Sequence, residues 1–81
     1  MIDNVILTPK TEKESIAIQS LLFKHHIPWV ISNYSYQRNI HGRMYILVRD
    51  NLIYCDPIDW LDGRDSLVIA FDDLIEMLDY E

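Results

Sequence analysis

Between Thr11 and Pro28 the chain carries the start and stop signals of one helix, and any fold must be arranged against that helix. Thr11 and Glu14 stand in a T-x-x-E relation, in which the Thr hydroxyl accepts the Glu14 amide proton and the carboxylate can reach back to the Thr11 amide. At the other end Lys24, His25 and His26 suit the carbonyl end of the helix dipole, and Pro28 forbids continuation. The signals predict a helix over Thr11–His26. Ile18, Leu21 and Leu22 form its main apolar stripe, with Ala17 at the edge. Ile16 and Phe23, seven apart, point roughly the other way, so the helix is apolar on two sides. Either a C-terminal segment covers that second pair or it is a contact surface.

The remaining segments arrange themselves as a sheet and a second helix. Asn4–Thr8 (NVILT) is a nearly continuous apolar run ended by Pro9, the pattern of a central strand buried on both faces. Pro28–Tyr36 (PWVISNYSY) and Arg43–Arg49 (RMYILVR) both alternate with period two, which predicts strands joined by a turn over Gln37–Gly42 with Gly42 at positive φ. Asp50-Asn51 predicts a tight hairpin into a strand over Leu52–Cys55. Asp56–Gly63 is expected to form one helical turn, with Asp56 as N-cap, Pro57 at the first helical position and Gly63 as the stop. A last strand over Ser66–Ala70 then leads into a short helix whose Phe71, Leu74, Ile75 and Leu78 fall on one face. These elements predict one α+β domain over residues 1–81, with a mainly antiparallel sheet of four to five strands in the order β-α-β-β-β-β-α.

Composition narrows the function. With 81 residues the chain is too short for a substrate domain plus a cofactor domain, and 49% hydrophobic residues with only 2 Gly and 3 Pro describe a folded chain. A single Cys55 excludes an internal disulfide. MIDNVILTPK lacks the basic flank and long apolar run of a secretion signal, so the expected location is cytoplasmic, with no membrane span.

The net charge of −6 is divided unevenly. Residues 1–49 hold three acids against six bases, whereas residues 50–81 hold ten acids and only Arg64 as a base, so the halves carry +3 and −9. That acidic half discourages casual nucleic-acid binding and favours encounter with a basic partner. The candidate partner-binding residues are Asp56, Asp59, Trp60, Asp62, Asp65, Asp72, Asp73 and Glu76, with Trp60 or Tyr54 as an aromatic anchor. In a DNA-mimic mode, carboxylates at these positions together with Asp79 and Glu81 would lie along one face with phosphate-like spacing.

Other chemistry has weaker support. His25 and His26 are adjacent and point about 100° apart on a helix, which does not chelate one ion. The third-residue spacing of Asp56, Asp59, Asp62 and Asp65 does not match the EF-hand pattern. Cys55 has no neighbouring base to activate it, Ser32, Ser66 and Tyr45 lack a nucleophile setting, and two glycines make no phosphate-cradling loop. No catalytic residue, cofactor or metal is therefore expected. The alternative reading is a small nucleic-acid-binding regulator, in which Tyr34 and Tyr36 stack on bases while Arg38 and Arg43 meet phosphates. Self-association through Ile16 and Phe23, or through an uncovered sheet edge, is a further option.

The run Glu14 to Phe23, the following Ile27-Pro28-Trp29 and the closing Val68-Ile69-Ala70-Phe71-Asp72-Asp73-Leu74-Ile75-Glu76-Met77-Leu78 resemble a pattern seen in small accessory proteins of tailed bacteriophages. The resemblance covers element order over most of the chain. It implies a protein made in the host cytoplasm, without a catalytic site, that binds and disables a host factor such as a component of host defence or nucleic-acid machinery. It carries over no functional residue.

Overall fold

The computed structural model describes residues 3–63 and 66–79 and shows an α+β fold. In chain order it has β1 (Val5–Leu7), α1 (Glu12–Lys24), β2 (Met44–Arg49), β3 (Leu52–Pro57), a 3₁₀ helix (Ile58–Gly63), β4 (Leu67–Val68) and α2 (Phe71–Asp79). The four strands form one sheet in the order β3-β2-β1-β4. β1 pairs antiparallel with β2 and parallel with β4, and β2 pairs antiparallel with β3. The sheet is thus mixed, with its one parallel pair at the β4 edge. No helix among the described residues is long and apolar enough to cross a membrane.

β1 is internal and all three of its residues are buried, as its continuous apolar run predicts. Strand alternation sends its side chains to two cores. Val5 and Leu7 join Ile46, Val48 and Ile53 under Ile18 and Leu22 of α1 and Leu74 and Leu78 of α2. Ile6 joins Tyr45 and Leu47 on the opposite face, where Ile58 and Leu61 of the 3₁₀ helix pack with Tyr54. Each fully buried Leu or Ile contributes about 2 kcal/mol, so the larger, helix-covered core dominates stability.

Local signals place the element boundaries. The Glu14 amide donates to Thr11 Oγ1 at 3.1 Å, which fixes the start of α1. Its end is a Schellman closure, with the Ile27 amide on the Leu22 carbonyl and the His26 amide on the Phe23 carbonyl, both at 3.0 Å. His26 sits at φ 64°, in the left-handed position that glycine fills at least cost. His26→Gly is therefore expected to raise stability by about 1 kcal/mol, read as a higher urea midpoint at unchanged m-value. The β2–β3 hairpin turns through Asp50 at φ 55° and Asn51 at φ 61°, the paired positive angles of a type I′ connection. Gly42 takes φ 67°, as expected. At the start of α2, Asp73 Oδ2 accepts the Ala70 amide at 3.2 Å, so a carboxylate on the helix supplies part of the cap that Ala70 itself cannot.

Three expectations are corrected. Pro28–Tyr36 does not form a strand: the segment folds back through a Trp29–Asn33 bridge, and Asn33 is left-handed at φ 56°. It lays Pro28–Val30 along β3 instead, with the Val30 amide on the Ile53 carbonyl and the Ile53 amide on the Pro28 carbonyl. Asp56 does not cap a helix, because β3 continues through Pro57 and Asp56 pairs there with Tyr45; the helical turn begins one residue after the proline. Finally, the cover for Phe23 comes from Tyr34 and Tyr36 of the returning loop, not from the C-terminal segment.

Candidate interaction surface

The acidic residues of the C-terminal half fall into two groups, and the elements that carry them explain the grouping. A 3₁₀ helix has three residues per turn, so positions three apart eclipse one another. Ile58 and Leu61 face the Ile6 core, and Asp59 and Asp62 are exposed one above the other. The spacing of Asp59 and Asp62 is thus the 3₁₀ repeat itself. Trp60 lies beside them and is 58% exposed. Asp65 and Glu81 lie outside the described residues. In α2 the inward positions are Leu74 and Leu78, while Asp72, Asp73, Glu76 and Asp79 are exposed.

These two groups lie on elements packed against opposite faces of the sheet. Asp56 belongs to neither. It is half-buried in β3, where its Oδ2 accepts the Tyr45 hydroxyl proton at 3.2 Å. Among the described residues, Asp59, Asp62, Asp72 and Glu76 have no cationic partner; the ion pair present there joins Arg38 to Glu12 at 3.7 Å.

Between β4 and α2 runs an apolar groove of about 420 Å³, lined by Leu67, Val68, Ile69 and Met77 and flanked by Asp73 and Glu76. Leu67 is 64% and Val68 49% exposed, high values for aliphatic strand residues. The sequence predicts a longer strand here, over Ser66–Ala70, and its reading does not identify the groove. Its three-residue apolar run beside an acidic amphipathic helix was the available clue, but a strand of two residues leaves most of that run uncovered.

The loop at the other side of the molecule is organised by Gln19, a residue the sequence reading passes over. Gln19 Oε1 accepts both the Trp29 indole proton at 3.0 Å and the Gln37 amide at 2.8 Å. Its Nε2 donates to the Gln37 carbonyl at 2.9 Å and to Ser15 Oγ at 3.1 Å. All four hydrogen-bonding positions of the amide are filled, and Gln19 and Ser15 are both buried. A tryptophan flanked by apolar residues, whose N–H needs a partner once buried, was the signal that pointed to such an acceptor.

Tyr34 and Tyr36 meet at Phe23, with ring centroids 5.7 Å and 5.1 Å away, and each keeps about half its surface exposed. Arg38 is held near Glu12, at the far end of α1. Eleven residues of helix separate Glu12 from Phe23, about 16 Å at 1.5 Å per residue. Arg43 lies just before β2, next to Gly42, whose amide donates to the Pro9 carbonyl. The two tyrosines are therefore gathered, while both arginines lie toward the N-terminal end of α1.

Cys55 is half-buried, and burial, followed by the neighbouring Asp56 charge, pushes its thiol above the ordinary range. It stays protonated and weakly nucleophilic at neutral pH. Among the described residues, no three His, Cys, Asp or Glu side chains converge on a point where a metal ion would sit. No protein-family model, curated protein or solved structure matches the chain.

Proposed function

We propose that this chain is a non-enzymatic binding protein of the phage-accessory kind, made in the host cytoplasm, which docks its acidic C-terminal half on a basic surface of a host protein and inhibits it. The observation that carries the reading is the set of exposed carboxylates at Asp59, Asp62, Asp72 and Glu76, which no cation of the chain neutralises among the described residues. Such uncompensated charge raises the on-rate toward a basic partner and rejects acidic ones. Trp60, exposed between Asp59 and Asp62, supplies an aromatic anchor. Because the acids lie on elements packed on either side of the sheet, the docking is an ordinary protein–protein contact, and any DNA mimicry is confined to one group.

The test is affinity capture from host lysate at low and high salt after nuclease treatment. The expected result is a near-stoichiometric, nuclease-resistant protein with a basic site. Its capture should weaken by about 2 kcal/mol or more when Asp59 and Asp62, or Asp72 and Glu76, are changed to Lys. Unchanged capture by both folded double variants would end the acidic-docking reading. Recovery of nucleic acid instead, lost on changing Arg38 and Arg43 to Glu, would move the function to Tyr34, Tyr36, Arg38 and Arg43.

A further inference from the structure

The two edges of the sheet differ. The β3 edge is covered by the chain's own Pro28–Val30, hydrogen-bonded to Ile53 in both directions. At the other edge β4 is the terminal strand among the described residues. The amides of Leu67 and Ile69 are turned inward, onto the Asn4 and Ile6 carbonyls at 3.0 Å and 2.8 Å. Strand alternation then turns the Val68 N–H and C=O outward, toward the open side. An edge with free backbone groups beside an apolar groove is the arrangement used for strand addition, in which main-chain bonds give affinity and pockets for alternate side chains give selectivity.

We infer that the β4 edge receives an extended segment of the basic partner as a fifth strand, whose alternate residues seat over the groove and bring Lys or Arg to Asp73 and Glu76. This rests on the docking reading above and names where, and in what conformation, the partner binds. Leu67 shares the sheet face of its register partner Val5, beneath the helices, so alternate side chains of an added strand on that face point toward α2 and its carboxylates. The same charges argue against a second copy of this chain as the occupant. Two β4 edges paired about a twofold axis would bring Asp73 and Glu76 of both copies together, and each chain carries a net −6.

The experiment uses the full chain and a labelled, acetylated peptide alternating Lys and Val over seven residues, with a Glu-Val peptide as the charge control. The Lys-Val peptide should bind, the Glu-Val peptide should not, and the Val68 amide should gain protection from hydrogen exchange on binding. Val68→Pro removes an N–H that faces away from β1, and Glu76→Lys reverses the flanking charge. Each should weaken the peptide by about tenfold or more, whereas Glu14→Lys, the same charge change on α1, should stay within about twofold. If Val68→Pro disturbs the circular dichroism spectrum, Leu67→Lys at an exposed position blocks the edge by charge and replaces it.

Native binding by the folded edge variants, or an unprotected Val68 amide, would overturn the inference. So would a native dimer that Val68→Pro converts to monomer, since the occupant would then be a second copy. If Asp59→Lys with Asp62→Lys abolishes partner capture while the edge variants leave it intact, the docking reading stands and strand addition falls. Capture and peptide binding that no acidic substitution alters would overturn both.

Discussion

Gln19→Leu is expected to lower the stability of the chain by about 3 kcal/mol. The amide fills four hydrogen-bonding roles at once, two as acceptor and two as donor. Leucine fits the volume but leaves the Trp29 indole N–H buried without a partner, and each such orphan costs about 1–3 kcal/mol. Gln37 is half-buried, so water can recover part of its loss. A chain of this length has a total stability of roughly 4–12 kcal/mol at about 0.05–0.15 per residue, so the change removes a large share. Urea denaturation followed by tryptophan fluorescence measures it. Hydrogen exchange should also show the Gln37 amide opening more readily than the α1 amides; an unchanged urea midpoint would show that the network is dispensable.

Trp29→Ala is expected to be still more damaging, at about 4 kcal/mol. The indole is 1% exposed and is the largest fully buried side chain. Its loss leaves a cavity in the helix-covered core and removes the anchor that holds Pro28–Val30 along β3. The variant should therefore show a lower denaturation midpoint together with concentration-dependent association, read by light scattering, as the second sheet edge is uncovered. Combined with Gln19→Leu, the losses should fall short of additive by about 1 kcal/mol or more, because both changes break the same Trp29–Gln19 bond. Full additivity in that cycle would mean that the two side chains act independently.

These two residues also mark where sequence reading stops. Thr11, the Asp50-Asn51 pair, Gly42 and the apolar run of β1 announce themselves because their signals are local: a cap, a required positive φ, a strand with no polar face. The second helix is equally legible from the spacing of Leu74 and Leu78. Pro28–Tyr36 misleads because its alternation of apolar and polar residues is the same whether the segment pairs as a strand or turns at Asn33. Gln19, eighteen residues before Gln37, tips the balance, and no window of sequence contains that contact. Asp56-Pro57 carries a good helix-start signal, yet the Tyr45–Asp56 ladder pair extends β3 through both residues. For the candidate surface, the three-residue spacing of Asp59 and Asp62 was readable and turned out to be the 3₁₀ repeat. Their separation from Asp72 and Glu76 was not, since the face on which an element packs is decided by the whole sheet.

Among the described residues, the covered β3 edge and the open β4 edge together give the sheet a valence of one. A sheet open on both sides can add neighbours in succession and grow into a filament, because each addition presents a fresh edge. Here the chain has already occupied one of its own sides, so among the described residues each copy offers a guest strand a single edge, at β4. Growth through this chain's own two edges is thereby blocked, and raising the concentration of a guest that pairs at β4 saturates that edge without drawing a second guest to β3.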